Sequence, residues 1–406
     1  MLRVPKHQDS DNNDISTQQA IQHVGSPPIM SPSNHAIVFG AAGLLGWATV
    51  EQLLSQHPHE GSFDKVTAVI NRPLTEPEFH WPTSSDSRPE LEIVSGVDLV
   101  KTSAEDLAQQ LRSKATDIEN VTHVFYFVFK EVSDNHVLER QANCDMMQRV
   151  VDVVTSTSPR LKSFIYPGGT RGYGIYIPGG TFQAPLEESM ADNLPEDYAR
   201  TVAYPWFRRI LTEASEGKSW TWTEICPDAV VGFTPNGSGW SLALHWAQYL
   251  SLYAHNHGVD RTSSDGVVEV PFPGSQGGFN SLFTPVSSEI LGQIAIHASE
   301  NPDKCGGMWF GLKGVGPAAR EDGMKPGEYV QKYKHIFELE GCSRAVGAGV
   351  GAGSSQLDAV GYWLTFDRQL SLERLRSVGF GREQDPVEGW LAAFEKFRAA
   401  GIILQR

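Results

Sequence analysis

The sequence predicts an α/β fold, a doubly wound parallel sheet with a second, smaller and mostly helical lobe. Three observations carry that prediction. The apolar run Ile37-Val38-Phe39 breaks into glycines at Gly40, Gly43 and Gly46 and resumes with a helical pattern through Val50, Leu53 and Leu54. Further β-branched, apolar runs then alternate with helical segments, the rhythm of strands joined by crossover helices. One of those runs, Val121 to Phe129, is too apolar to have a wet face, as suits a central strand covered by helices on both sides.

Taken in order, the first element is a strand, a phosphate-binding turn and a helix. Glycine is needed where φ turns positive and where the backbone must approach a pyrophosphate with no Cβ between them. The helix that follows directs free N–H groups and its positive dipole end at the phosphates. Gly40, Gly43, Leu44, Leu45 and Gly46 are therefore the candidate cofactor-binding turn, spaced G-x-x-G-x-x-G and not G-x-G-x-x-G. The second strand, Lys65 to Ile70, ends in Asn71-Arg72-Pro73. An acidic residue about 20 positions after the glycines suits NAD, whereas an arginine suits the 2′-phosphate of NADP. Arg72 thus points to NADPH, or is a solvated arginine at a strand end. A third strand, Leu91 to Val94, leads to Asp98, which lines the adenine side of the pocket or caps a turn. The pattern continues with a helix at Asp106 to Leu111, the apolar strand Val121 to Phe129, and a helix bearing Cys144, Met147, Val150, Val151 and Val154. Strands follow at Leu161 to Tyr166 and around Trp220 to Phe233.

Composition bounds the function. The chain has 406 residues and a net charge of -15, which argues against a nucleic-acid footprint. Four cysteines without a C-x-x-C pairing read as thiols in a reducing compartment. No apolar run approaches the roughly 18 residues that a membrane span needs. The polar first 33 residues lack an apolar signal-peptide core and read as a disordered extension, so the expected location is cytoplasmic. His245, His255 and His257 have no acidic partner nearby, so no metal is expected. The glycine-rich stretch Gly347 to Gly353 reads as a linker.

The stretch Thr122 to Tyr126, then Asn143 and Met147, then Gly168-Gly169-Thr170-Arg171-Gly172-Tyr173-Gly174 resembles the progesterone 5β-reductase/iridoid synthase-like group of atypical short-chain dehydrogenases/reductases, including its fungal natural-product branch. Tyr362 to Asp367, Ser371, Arg374 to Arg376, Gly379-Phe380 and Trp390 are similar to that group's closing segment. The resemblance spans about residues 34 to 404. It implies a Rossmann domain, NADPH, and reduction of the carbon–carbon double bond of an enone or enal in a small hydrophobic, carbonyl-containing substrate. It also places the family's enolate-stabilising tyrosine at Tyr204 and puts Arg171 where the family has a lysine. Similarity sets Pro227 to Val230 beside the nicotinamide. Ala203, Phe207 and Arg208 depart from the family pattern around Tyr204.

Tyr204 is a credible site residue on physical grounds as well. A residue before proline is pushed out of the α region and Pro205 suits a first helical position, so Tyr204 is expected at a helix N-terminus, or else packs that helix on the sheet. Arg171 cannot give up a proton but can hold charge beside an oxyanion; alternatively it pairs with Glu187, Glu188 or Asp192 and closes a loop. Tyr173, Trp240 and Trp246 are candidate substrate contacts, although Leu242, Trp246, Tyr249 and Leu250 also read as the buried stripe of one helix. The expected domains are a Rossmann domain at 34–235 with a returning strand near 307–311, and a substrate lobe at 236–280 and 315–406. Three functions remain: an NADPH-dependent enone reductase, a non-redox isomerase or cyclase reusing the pocket, and an NADP-sensing binding protein. Oligomeric state is open, a homodimer included.

Overall fold

The strands stack in the order the sequence pattern requires, and alternation along each one decides which layer its side chains enter. The computed structural model describes residues 33–83, 85, 87–132, 134–259, 270–310, 319–320, 324–348 and 359–405. The expected extension up to residue 32, Gly311, residues 315–318 and 321–323, and the stretch 349–353 lie outside the described residues. Strands β1 (His35–Phe39), β2 (Lys65–Val69), β3 (Glu90–Val94), β4 (His123–Tyr126), β5 (Ser163–Pro167), β6 (Thr221–Ile225) and β7 (Met308–Phe310) form one sheet in the order 7-6-5-4-1-2-3. Every pairing in it is parallel. The returning strand near 307–311 is β7, at the edge beside β6.

Helices cover both faces. Val38, Val66, Ala68, Phe125, Ile165 and Ile225 point into the layer that holds helix α1 (Leu44–Leu54). Ile37, Phe39, Val124, Tyr126, Phe164 and Tyr166 point the other way, toward α2 (Ala104–Lys114), α3 (His136–Thr157) and α4 (Tyr204–Ser215). Past β6 come α5 (Leu242–Asn256), α6 (Ser288–Glu300) and, near the C-terminus, α7 (Pro386–Ala399). Residues of α5, α6 and α7 join the α1 layer, and that core runs on through Phe397 to Leu404.

Two expectations need correction. The apolar strand expected over Val121 to Phe129 stops at Tyr126. The Phe127 N–H still bonds the Phe39 carbonyl at 2.9 Å, but the buried Asn143 side chain bonds both the N–H and the C=O of Lys130, each at 2.8 Å, and the chain from Phe127 to Phe129 turns away as a loop. Tyr204 stands at a helix N-terminus as expected, but Pro205, expected in the first helical position, is the second residue of α4, after Tyr204 itself. Pro205 still suits the site, since the first turn of a helix needs no N–H there.

Candidate active site

β1 and β4 are neighbours while their crossovers leave in opposite directions, the switch point at which doubly wound sheets bind ligands. Segments from the carboxyl ends of β1, β4, β5 and β6 wall one cavity of ≈ 440 Å³: Gly43 to Leu45, Phe127 to Phe129, Pro167 to Arg171, and Pro227 to Val230. Tyr204 at the start of α4, Trp240, and Leu364 with Arg368 from the C-terminal segment complete it. The volume suits a small organic ligand.

The glycine turn meets the demands of a dinucleotide. Gly40 has φ +77°, and a Cβ there would stand 2.6 Å from the Phe127 carbonyl oxygen. A Cβ at Gly46 would lie 2.7 Å from the Gly40 carbonyl carbon. Gly43 caps α1 in an extended conformation with no side chain over the helix end, so the first amides, at Leu44, Leu45 and Gly46, have no partner within the helix. Backbone donors and a bare helix terminus at one cavity wall fit a pyrophosphate. Arg72 is exposed just past β2. Asp98 accepts the Val100 N–H at 3.0 Å and lies 3.6 Å from Lys101 Nζ, so it caps a turn. Gly40, Gly46, Arg72 and Asp98 stand apart from the cavity lining itself.

Tyr204 is half-buried, and its hydroxyl has no hydrogen-bond partner among the described residues. Missing side chains make its berth: a Cβ on Gly169 would stand 3.0 Å from Tyr204 Oη, and one on Gly172 3.2 Å from the ring. Burial raises the phenol pKa well above its ordinary value, Cys226 adds to the rise, and the Arg171 charge opposes it. The group therefore keeps its proton and faces the cavity as a donor.

Arg171 pairs with Glu139 at the start of α3, not with Glu187, Glu188 or Asp192. Its Nη2 also donates to the Thr201 carbonyl at 3.2 Å, and its guanidinium carbon lies 5.5 Å from the Tyr176 ring centre. Burial works against its charge, but the hydrogen bond and charge of Glu139 outweigh burial, so its pKa rises. Glu139 in turn accepts the Val132 N–H at 3.1 Å, which ties Arg171 to the loop after β4.

Arg208, one turn along α4 from Tyr204, binds Glu224 through Nε at 2.8 Å and Nη2 at 3.3 Å. The Tyr166 hydroxyl donates to the same carboxylate at 2.7 Å. A Cβ on Gly168 would run into Glu224, so the paired glycines after β5 accommodate both Glu224 and Tyr204.

The remaining candidates divide. Trp240 lines the cavity, 46% exposed, with its ring 6.2 Å from Phe129; Pro227 and Val230 line it too. Tyr173 is buried with Leu186, Ala191, Cys226 and Leu370, and Trp246 stacks on Phe272 and meets Tyr249 edge-on. Neither is in the lining. Sequence reading missed Tyr176 and Arg368, both of which are, while Asp228 falls within the Pro227 to Val230 stretch that it did name. Among the described residues no group of three His, Cys, Asp or Glu is placed to hold a metal, and no helix is long and apolar enough to cross a membrane.

A family model described as a PRISE-like Rossmann-fold domain matches residues 36–307. Over 397 residues the chain is 28% identical to the short chain dehydrogenase sirQ of Leptosphaeria maculans, covering 91% of this chain and 97% of the relative. It is 24% identical over 279 residues to the 3-oxo-Delta(4,5)-steroid 5-beta-reductase of Arabidopsis thaliana, 68% of this chain and 63% of the other. Vestitone reductase from alfalfa (Medicago sativa L.) shares the fold at 14% identity, with a TM-score of 0.54 over 91% of this chain and 100% of that one. A glycine turn, a half-buried tyrosine donor and a family match across most of the sheet converge: the chain belongs to the PRISE-like Rossmann-fold family of short-chain dehydrogenase/reductase-type oxidoreductases.

Proposed function

We propose that the protein is an NADPH-dependent reductase of an activated carbon–carbon double bond, an enone or enal, in a hydrophobic natural-product substrate. The observation that carries the reading is that Tyr204 and Arg171 open on the same cavity as the glycine turn. The relative that is a steroid 5-beta-reductase supports carbon–carbon reduction. In this reading residues 34–235 bind the cofactor, and residues from 236–280 and 315–406 shape the substrate side. The turn from Gly40 to Gly46 holds the pyrophosphate and Arg72 the 2′-phosphate. Bound NADPH supplies the hydride that the β-carbon accepts.

The chain's own task is to stabilise the charge that then develops on the carbonyl oxygen. Tyr204 donates its hydrogen bond there, and its raised pKa keeps the proton on the phenol until the enolate forms. Arg171, its charge balanced by Glu139, offers N–H donors but no proton. Phe127, Phe129, Trp240 and Leu364 line the cavity and keep water from the reacting carbon.

Steady-state NADPH consumption over a panel of hydrophobic enones tests this. Tyr204→Phe is expected to lower turnover about 10²- to 10⁴-fold with NADPH binding unchanged; undiminished turnover removes Tyr204 from the mechanism. Arg72→Ala is expected to abolish a preference for NADPH over NADH, and equal preference in both proteins takes Arg72 out of the site. One observation favours a second reading: Arg171, in the lysine's place, is neutralised by Glu139. Conversion of substrate with no NADPH consumed would assign isomerisation or cyclisation instead.

A further inference from the structure

Arg368 is 1% exposed, yet it reaches the cavity wall from the C-terminal segment. Its five N–H donors are poorly used by the protein. Nε lies 3.4 Å from Asp228 Oδ1 without hydrogen-bond alignment, and Nη1 lies 3.5 Å from the Leu364 carbonyl. The Phe283 ring, 4.9 Å from the guanidinium carbon, covers one flat face. No other polar partner of this side chain exists among the described residues. Buried donors left this open are costly, so a position that retains them marks a place for an acceptor.

Asp228 decides what kind of acceptor. Each of its carboxylate oxygens already accepts one bond, from the Thr170 hydroxyl at 2.8 Å and the Thr284 N–H at 3.0 Å. It cancels the charge of Arg368 while leaving most of the donors free. Arg171 is cancelled likewise by Glu139, so the cavity's two guanidinium groups are both neutralised. A carboxylate brought to Arg368 would be buried beside Asp228 with no cation to balance it. A neutral carbonyl oxygen takes the same donors without that cost.

The position is also fixed in advance. The Arg368 N–H bonds the Leu282 carbonyl at 2.8 Å, Asp367 accepts the Leu282 N–H at 2.8 Å, and the Leu370 N–H bonds Thr284 Oγ1 at 2.9 Å. Thr170, bonded to Asp228, precedes Arg171 in sequence, so the chain Thr170–Asp228–Arg368 sets the two guanidinium groups relative to each other.

We infer that Arg368 is a specificity-determining residue that donates to a second, neutral carbonyl oxygen of the substrate, apart from the carbonyl at Tyr204. The assignment of the first carbonyl rests on the reductase reading.

The test is calorimetry on the full chain, with and without saturating NADP, using three probes on one bicyclic skeleton. They are an enone carrying a saturated ketone on its second ring, the same enone without that ketone, and the enone with a carboxylate in its place. The diketone is expected to bind about tenfold more tightly than the plain enone. Arg368→Met is expected to bring the two level, and Arg368→Lys to keep part of the preference. The comparison on the wild-type protein needs no variant, so a misfolded Arg368→Met leaves the test intact. Equal binding of diketone and enone by the wild type overturns the inference, and so does tightest binding of the carboxylate. NADPH turnover of none of the probes, with the diketone preference intact, would sink the reductase reading alone. Turnover without the preference would sink the role of Arg368 alone.

Discussion

Arg208 and Glu224 form a buried pair behind the cavity, with Tyr166 donating to the shared carboxylate. Burial acts against the Arg208 charge, but Glu224 outweighs it and raises the Arg208 pKa. Glu224→Gln removes the buried counter-charge and leaves the exposed Asp192, 3.5 Å from Arg208 Nη1, as a second one; it is expected to cost up to about 3–5 kcal/mol in urea unfolding, and a loss under about 1 kcal/mol would mean that Asp192 and solvent suffice for Arg208. Tyr204 carries a pH prediction. Its pKa is raised above the tyrosine value of 10.0, and the donor role needs the protonated form. Turnover is therefore expected to show no falling limb from neutral pH up to 10, and such a limb, absent in Tyr204→Phe, would contradict it. Tyr204 could be placed at the cavity from sequence because Pro205 follows it, and its proposed role comes from the resemblance. Arg368 could not. It stands between acids and basic residues up to Arg382, which reads as a solvated stretch, and only the apolar Leu364, Phe366 and Leu370 around it hint at burial. The partner of Arg171 was equally hidden, since Glu139 lies 32 positions away on a helix that sequence reading placed without orienting.

At the scale of elements, the alternation of strands and helices was legible because the central strands β1, β2 and β4 are buried on both faces and each crossover helix carries its own apolar stripe. Strand ends were less so. Phe127 to Phe129 continue the apolar pattern of β4, and only the Asn143 bonds to Lys130 show that they form a loop. Asn143→Ala would leave that N–H and C=O without their partner. The variant is expected to lose about 1–3 kcal/mol of stability and to speed amide exchange at Lys130. Unchanged exchange there would show that other contacts hold the loop. Because Glu139 joins the loop to Arg171, such loosening is also expected to raise KM more than it lowers the stability of the sheet.

Across the whole molecule, the amino ends of the strands hold a polar counterpart to the site. His35 bonds Thr67 at 2.8 Å, and His123 bonds Thr122 at 2.7 Å. Burial, then the nearby Lys65, depresses the His35 pKa to about 4 against the partial opposition of Glu92 and Asp117. Burial and Lys162 depress that of His123 to about 3. Both values lie below the unfolded value of 6.5, so the unfolded chain binds the protons more readily. Stability is expected to be full above pH 6.5 and to fall as the pH drops toward 4 and then 3, each histidine adding up to about 1.4 kcal/mol per pH unit. Denaturant midpoints measured across that window check it, and a flat profile would show that the imidazoles are hydrated. The core containing β1 and α1 is completed by Phe397, which meets Phe233 at 5.2 Å between ring centres, and by the buried Ile402, Ile403 and Leu404. A ribosome delivers those residues long after β1 and α1. Until they emerge, the nascent chain carries one uncovered apolar layer, which makes it a client for chaperones, and a stop upstream of them leaves a chain marked for proteolysis.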